Sequence, residues 1–377
     1  MIVKKLINCF SIEHNATLLY NKMIYFNLYR SASKLSNGER KLNIKAVIAA
    51  AFCLIVVAGL IIFDAISSRK EYTANDVAMN TVISIKLFGS DGEKTADEVK
   101  DCIRSVETSL LSRYKSGSDV SRINSGNSEA VSVSPDVEQI ISKSVEVSKE
   151  CGGVFDITVG KITELWGFGG DKPQVPDKAE IEELLPYVGY SKMDVTGSSV
   201  KLGSNQTLDL GAVGKGAACD IVKSFLSETR TDSAVISVGG SLLLYGKRNF
   251  TIGIMNPEND KDYMGTLKLS DTCVSTSGDY EQTFEKDGKT YHHILNALTG
   301  YPADSHLKSV TVVCESGILS DALSTACFIL GYGDSSLNLL KKFDAEAVFI
   351  TSDKIVRCTD GIKNSFTLTD DSYTLGK

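Results

Sequence analysis

Two short runs of the chain place oxygen ligands among small residues at points where a helix is expected to begin. The run 208–216 contains Asp209, and the run 320–326 contains Asp321 and Thr325. The first N–H groups of a helix have no partner within the helix, so a helix N-terminus favours phosphate groups and the metal ions that bridge them. The two runs together predict a nucleotide site.

Asp321 and Thr325 stand four residues apart in a helix predicted to begin near Ser320 and to end at Gly331. This spacing puts both side chains on one helix face. Carboxylate and hydroxyl oxygens suit Mg²⁺ better than Zn²⁺. The alternative is that Asp321 only complements the helix dipole in the first turn.

The run 208–216 also carries Lys215 between glycines. These glycines do not follow the G-x-G-x-x-G spacing, so a Rossmann site is disfavoured. A lysine can act as a point charge on a pyrophosphate oxygen. The alternative is a glycine-rich helix start with a solvated lysine.

Aromatic residues mark two further candidate contacts. The only tryptophan, Trp166, is followed by Gly167 and Phe168, and glycines allow a planar ring to approach the backbone closely. Tyr114 follows a predicted helix and offers a stacking face with a hydrogen-bonding tip. The alternatives are an aromatic loop folded onto the core and a tyrosine that packs on the surface.

Hydrophobic patterning predicts the elements that position these residues. Strands are predicted over 81–87, 234–238 and 309–313, one helix includes Val99 to Leu110, and another opens at Pro135. Strands that resemble hairpins, together with separate helices, indicate an α+β fold. The polar stretch 64–76 is predicted to be a linker.

The beginning of the chain predicts a membrane anchor. Residues 46–63 contain no charged residue, which is near the minimum length for a bilayer span and longer than the core of a usual signal peptide. Residues 1–45 carry eight Lys or Arg and two acidic residues, so we expect them to stay in the cytoplasm. A cleaved signal peptide remains open, since small residues such as Ala65 follow the apolar run.

Composition restricts the functions that we expect of the part of the chain after the predicted anchor. The whole chain of 377 residues has a net charge of −7 in spite of its basic N-terminal segment, so the part after the anchor is acidic and unsuited to bind nucleic acid. Its seven cysteines show no metal-ligand spacing, and we expect most to be buried thiols.

Several motifs, in order along 78–340, resemble the ApbE family of FAD:protein FMN transferases. The segment 78–81 resembles a Met-Gly-Thr motif with Asn80 in place of glycine. The segment 291–300 resembles a His-Ile-x-Asp-Pro-x-Thr-Gly signature, with Asn296 and Ala297 in place of Asp and Pro. The segments around Tyr114, Trp166, Asp209 and Asp321 complete the resemblance.

The resemblance implies a single two-lobed, T-fold-like α+β domain over 77–377 and a set of site residues. It implies that FAD contacts Met79, Tyr114, Trp166, Gly167, Phe168, Asp209, Lys215 and Ile294. The metal ligands would be the backbone carbonyl of Ala212 with Asp321 and Thr325. His293 would be the general base, because an imidazole titrates near neutrality, and Asp279 is the next residue to consider for that role.

The implied reaction is Mg²⁺-dependent transfer of FMN from FAD to a Thr or Ser hydroxyl of an acceptor protein, with release of AMP. The partner would be an extracytoplasmic protein of a membrane electron-transfer system. Two alternatives remain. The same site could hydrolyse FAD to FMN and AMP, or the protein could bind flavin without catalysis as an electron carrier, since the Asp of the signature is absent at position 296.

Overall fold

A mostly antiparallel nine-stranded sheet carries helices on one face and a small three-stranded sheet on part of the other. The computed structural model describes residues 70–170 and 172–376. Within them the order of the large sheet is β1-β2-β6-β7-β10-β15-β16-β17-β19, and that of the small sheet is β18-β9-β8. The mixture of sheets and separate helices confirms the predicted α+β class.

The strands have the following bounds: β1 Glu71–Ala78, β2 Thr81–Gly89, β3 Val131–Ser132, β4 Asp194–Thr196, β5 Ser199–Lys201, β6 Thr231–Val238, β7 Ser241–Tyr245, β8 Phe250–Asn256, β9 Asn259–Leu269, β10 Thr272–Gly278, β11 Thr283–Lys286, β12 Lys289–His292, β13 Leu295–Asn296, β14 Tyr301–Pro302, β15 Leu307–Cys314, β16 Glu346–Thr351, β17 Ile355–Cys358, β18 Phe366–Leu368 and β19 Thr374–Leu375. The helices are α1 Gly92–Ser105, α2 Asp119–Asn124, α3 Pro135–Glu150, α4 Gly160–Trp166, α5 Lys178–Leu184, α6 Gly214–Ser227, α7 Gly317–Leu330 and α8 Asp334–Lys342. Short 3₁₀ turns occupy Leu185–Tyr187 and Tyr190–Lys192.

Alternating side chains explain how the large sheet buries one face under the helices. In β2 the side chains of Ile83, Ile85 and Leu87 are buried, whereas Val82 in the same strand is largely exposed. Successive residues of a strand point to opposite faces, so this pattern turns one face of β2 towards α1 and α6. The predicted strands at 81–87, 234–238 and 309–313 are confirmed.

The helix predicted at Pro135 is confirmed and begins as the sequence suggests. Pro135 occupies the first helical position, where its missing N–H costs nothing, and the Ser134 side chain accepts a hydrogen bond from Val137 N. The helix predicted through Leu110 is interrupted. Its α-helical part ends at Ser105, and Val106–Leu111 forms a π-helical turn that allows Val106 and Leu111 to be buried together.

Helix α7 begins three residues earlier than predicted, at Gly317 instead of near Ser320. The Ser316 hydroxyl caps it, and the Asp220 carboxylate accepts hydrogen bonds from the N–H groups of Gly317 and Ile318. The first turn is therefore already compensated by Asp220, a residue from α6. Asp321 lies in the second turn, so the alternative that it merely complements the dipole at the helix start is wrong.

The predicted linker at 64–76 is also wrong in its second half. Residues 71–76 belong to β1, which pairs with β2 along its whole length. The polar composition misled the prediction, because β1 is an edge strand and most of its side chains alternate between exposed and half-buried positions.

Among the described residues no helix has the length and apolar character needed to cross a bilayer. The predicted anchor at 46–63 lies outside the described residues.

The cysteines after residue 70 are unpaired and mostly buried, as predicted. Five of them are buried, and Cys102 and Cys358 are half-buried. Burial raises the pKa of each of these thiols, for example to about 11 at Cys358. We therefore assign them to packing.

Candidate active site at one end of the large sheet

Three neighbouring strand ends and the start of α6 meet at one end of the large sheet. The turn between β6 and β7 touches β2, because Gly239 N donates to Val82 O (3.3 Å), and it touches β10, because Thr276 N donates to Gly240 O (3.1 Å). The β1–β2 turn lies at the same end, since β2 begins there. The predicted segment that contains Met79 therefore lies at this end of the sheet, next to the turn between β6 and β7.

Met79 and Asn80 form the two-residue turn between β1 and β2. Both have positive φ, 53° for Met79 and 55° for Asn80, which is the backbone geometry of the favoured hairpin turn. Asn tolerates this region better than most residues, so Asn80 can take the place of the glycine in the family motif. The Met79 side chain reaches the start of α6, with its Cε 3.4 Å from the point where a Cβ on Gly214 would lie.

Two glycines bring α6 and α7 into backbone contact beside this turn. A Cβ on Gly216 would lie 2.0 Å from Gly317 O, and a Cβ on Gly317 would lie 2.2 Å from Gly216 O. No side chain larger than hydrogen fits at either position. The close approach allows Gly216 N to donate to Asp321 Oδ2 at 2.6 Å.

Asp321 is a buried carboxylate held on both oxygens. Oδ2 accepts from Gly216 N, and Oδ1 accepts from the Ser241 hydroxyl at 2.6 Å. Burial raises the pKa of Asp321, and the nearby Lys215 ammonium together with these hydrogen bonds opposes the rise. A carboxylate in this environment gains from an additional cation.

Hydroxyl pairs fix the remainder of α7 on β10. Ser275 Oγ lies 2.8 Å from Ser320 Oγ, and Ser277 Oγ lies 2.8 Å from Ser324 Oγ and 3.3 Å from Thr325 Oγ1. The sheet-facing side of α7 thus presents both Asp321 and Thr325. Ser241 begins β7, and Ser275 and Ser277 lie in β10. Their alternation along β10 with polar partners on a helix is the signal that could have revealed this contact.

Few groups can bind a metal ion here, and all of them are hard oxygen donors. Among residues 70–170 and 172–376 no group of three or more His, Cys, Asp or Glu side chains is placed to hold a metal. The predicted set adds the Thr325 hydroxyl and the carbonyl of Ala212, an exposed residue in the turn before α6, to the single Asp321 carboxylate. All three donors are oxygens, which fits Mg²⁺ with further oxygens from water and phosphate.

His293 is neutral and oriented with one ring nitrogen free to act as a base. Its Nδ1 lies 3.0 Å from the carbonyl oxygen of Glu281. A carbonyl oxygen can only accept, so Nδ1 carries the proton and Nε2 carries the lone pair. Burial, together with the nearby Lys215 charge, lowers the pKa of His293 from 6.5 to about 4, against the opposing effect of the hydrogen bond to the Glu281 carbonyl.

His292, the neighbour of His293, and Asp279, the other residue considered for proton transfer, already have partners. His292 donates from Nε2 to Ala303 O (3.0 Å) and accepts at Nδ1 from Ile294 N (3.3 Å). Asp279 Oδ2 pairs with Lys308 Nζ at 2.8 Å. His293 is therefore the better candidate.

Lys215 lies close to both Asp321 and His293. Its charge lowers the pKa of each, and its Nζ lies 3.8 Å from the point where a Cβ on Gly240 would be. Glu281 Oε1 approaches the same point at 3.6 Å, so the residue that orients His293 also reaches this turn. The structure thus brings together an ammonium group, a buried carboxylate and a neutral imidazole.

Asn296 and Ala297 depart from the family signature without disturbing its turn. The Asn296 side chain accepts from Leu298 N at 2.9 Å, a contact that an Asp would make in the same way. Ala297 N donates to Val154 O (2.9 Å). Position 296 therefore shapes the loop after His293.

The prediction that the Trp166 ring receives a nucleotide is not supported by its position. Trp166 is 0% exposed, its Nε1 donates to Gly300 O (2.8 Å), and its ring stacks on Phe168 at 5.5 Å between centroids. The large apolar ring is more stable in the core than at a cleft. Gly167 has a positive φ of 66° that ends α4, and Phe168 remains half-buried, so these two residues stay candidates for contact.

The remaining predicted contacts divide into two groups. Ile294 follows His293, and its side chain is buried at 4% exposure, so it is not open to a ligand in this structure. Asp209 and Tyr114 both contact Arg113. Arg113 is not among the predicted site residues.

Comparisons with known proteins agree with this architecture. The ApbE family model matches residues 79–349. The FAD:protein FMN transferase of Klebsiella pneumoniae is 32% identical over 312 residues, covering 81% of this chain and 98% of that relative. The FAD:protein FMN transferase of Treponema pallidum is 29% identical over 336 residues, covering 81% of this chain and 91% of the relative.

Solved structures show the same likeness. The crystal structure of the ApbE protein of Thermotoga maritima matches with a TM-score of 0.72 at 29% identity, over 78% of this chain and 99% of that one. The apo flavinyl transferase ApbE of Pseudomonas stutzeri matches with a TM-score of 0.69 at 27% identity, over 78% and 96%. These matches fall in one class of protein, the flavin transferases. The chain belongs to the ApbE family.

Proposed function

We propose that this protein transfers FMN from FAD to a Thr or Ser hydroxyl of an acceptor protein in a Mg²⁺-dependent reaction. The observation that carries the proposal is the convergence of Lys215, Asp321 and the free Nε2 of His293 at one end of the sheet. The names of the relatives support the same activity.

The proposed reaction needs a base, His293, and a positive charge, which Lys215 supplies. The acceptor hydroxyl oxygen forms a bond to the phosphorus of the FMN half, the bond from that phosphorus to the bridging oxygen breaks, and AMP leaves. His293 Nε2 takes the hydroxyl proton, since the neutral imidazole holds a lone pair there. The Lys215 ammonium offers a point charge for the pyrophosphate oxygens.

The oxygen donors of Ala212, Asp321 and Thr325 would hold the magnesium ion. When bound, Mg²⁺ supplies neutralisation of the negative charge on the pyrophosphate. Ser241 and Gly216 keep the Asp321 carboxylate in place, and Ser277 does the same for the Thr325 hydroxyl.

The proposal is tested by incubating the full-length protein with FAD, Mg²⁺ and candidate Thr- or Ser-containing exported proteins. Intact-mass measurement of each candidate should show an added FMN, and the mass should be absent when the modified hydroxyl residue is changed to Ala. Free FMN and AMP without modified protein would instead establish FAD hydrolysis. Tight FAD binding with neither product would establish a flavin carrier.

We also propose that the domain faces outward from an N-terminal anchor in the cytoplasmic membrane, with its acceptor in a membrane electron-transfer system. The support is the uncharged run 46–63 behind a basic flank. Protease added to cells whose outer face is accessible should digest the domain, while a cytoplasmic marker protein stays intact. Full protection of the domain in such cells would reverse the orientation.

A further inference from the structure

Arg113 is a nearly buried cation that joins three segments around the predicted nucleotide contact Asp209. Its side chain is 12% exposed. Nη1 donates to Asp209 Oδ2 (2.8 Å) and to Thr163 Oγ1 (3.1 Å), and Nη2 donates to Gly160 O (3.0 Å). The guanidinium therefore connects the segment after the π-helical turn, the start of α4 and the strand-like segment before α6.

The Asp209 carboxylate has its orientation set by these contacts. Oδ2 accepts from Arg113 and from Thr163 Oγ1 (2.6 Å), while Oδ1 accepts from Gly211 N (2.9 Å). A carboxylate oxygen can accept more than one hydrogen bond, so Asp209 can still receive a ligand donor. Its direction is fixed by protein groups before any ligand binds.

Tyr114, the other predicted contact in this region, lies against the same guanidinium. Arg113 Cζ is 5.7 Å from the centre of the Tyr114 ring, within the range of a cation–π contact. The tyrosine side chain is 82% exposed. An exposed ring with one cation beside it keeps its other face available for stacking.

We propose that Arg113 is a positioning residue that holds Asp209 and Tyr114 in the geometry that binds FAD. This inference rests on the proposed function, because it assigns FAD as the ligand of these two side chains. The contacts of Arg113 belong to a different group from those that hold His293 and Asp321. Arg113 should therefore set the affinity for FAD and leave the rate of the chemical step nearly unchanged.

The test compares Arg113→Met and Arg113→Lys with wild type in the full-length protein. FAD binding is measured by the change in flavin fluorescence in the presence of a chelator, and transfer is measured at saturating FAD and Mg²⁺. Arg113→Met should raise the Kd for FAD about 10- to 100-fold, the effect of losing hydrogen bonds to a charged partner. Its kcat should stay within about threefold of wild type, since the base and the metal donors are untouched. Arg113→Lys keeps the charge but loses the planar fork, so its Kd should fall between those of wild type and Arg113→Met.

Arg104→Met is the matched control. Arg104 also pairs with a carboxylate, Asp76, at 2.8 Å, but it lies on α1 and is 52% exposed. Its Kd for FAD should equal that of wild type. If Arg113→Met fails to fold, Arg113→Lys carries the test alone.

The outcomes separate this inference from the proposed function. A wild-type Kd in Arg113→Lys and Arg113→Met, or a loss of kcat with unchanged Kd, would overturn the positioning role. Absence of transfer by the wild-type protein while the Arg113 variants still lose FAD affinity would overturn the transferase proposal and leave the positioning role standing.

Discussion

Asp321→Ala is expected to abolish Mg²⁺-dependent FMN transfer while the protein remains folded. The carboxylate is the only charged donor of the predicted metal set, so its loss leaves the pyrophosphate charge without its main compensation. The truncation also leaves Gly216 N and the Ser241 hydroxyl without their acceptor, which costs about 1–3 kcal/mol of stability for each group that finds no new partner. This loss is small compared with the expected loss of activity.

Three companion variants make the measurement decisive. Transfer is assayed at saturating FAD while Mg²⁺ is titrated. Asp321→Asn retains an oxygen acceptor at the same place and serves as the folded control for the loss of charge. Thr325→Val should give a milder defect of the same kind, because a neutral hydroxyl contributes less than a carboxylate. Asp334→Ala removes an exposed acidic residue from the first turn of α8 and should change nothing. A folded Asp321→Ala protein with the wild-type rate and Mg²⁺ requirement would move the metal site elsewhere.

His293→Ala should lower transfer by about 10²–10⁴-fold, the usual range for loss of a general base. FAD binding should be largely unchanged, because Nδ1 is engaged by the Glu281 carbonyl and only Nε2 faces the reaction. Single-turnover transfer and FAD affinity are measured side by side. His306→Ala, which removes an exposed imidazole, is the control. An undiminished rate in His293→Ala would transfer the role to another group, with Asp279 the next to examine.

The same residue predicts an unusual pH dependence. With a pKa of about 4, His293 is deprotonated in the free enzyme at all pH values above about 5, so the base is available well below neutrality. The acid limb of kcat/KM should therefore fall near pH 4 and not near 6.5. An anionic pyrophosphate beside the imidazole favours its protonated form, so the acid limb of kcat should lie at higher pH than that of kcat/KM. An acid limb of kcat/KM at pH 6.5 would contradict the assigned environment of His293.

The sequence was a reliable guide where one strong local signal acted alone. The alternation around Ile83 and Ile85 predicted β2, and the Ser134-Pro135 pair predicted the start of α3. The motifs also identified His293, Lys215 and Asp321 as candidates, and the structure places them close together. In these cases the local pattern and the tertiary contacts favour the same conformation.

The sequence failed where distant residues decide the outcome. The start of α7 depends on the Asp220 carboxylate from α6 as well as on the Ser316 cap, and only the cap could be seen in the local sequence. Trp166 was assigned to a binding surface because of its glycine neighbours, but its burial depends on rings contributed by β11 to β14. The hydroxyl pairs between β10 and α7 join residues more than 40 positions apart. Such contacts become visible only once the sheet order is known.

The backbone contact between Gly216 and Gly317 also limits the directions from which a ligand can reach Asp321. The two helices touch without intervening side chains, so the inner side of the Asp321 carboxylate is sealed by peptide groups. We expect ligands to reach Asp321 from the end of the sheet, where the β1–β2 and β6–β7 turns lie. If FAD and AMP both pass this end of the sheet, AMP has to leave before the next FAD binds. Release of AMP would then limit the rate of turnover as much as the chemical step does.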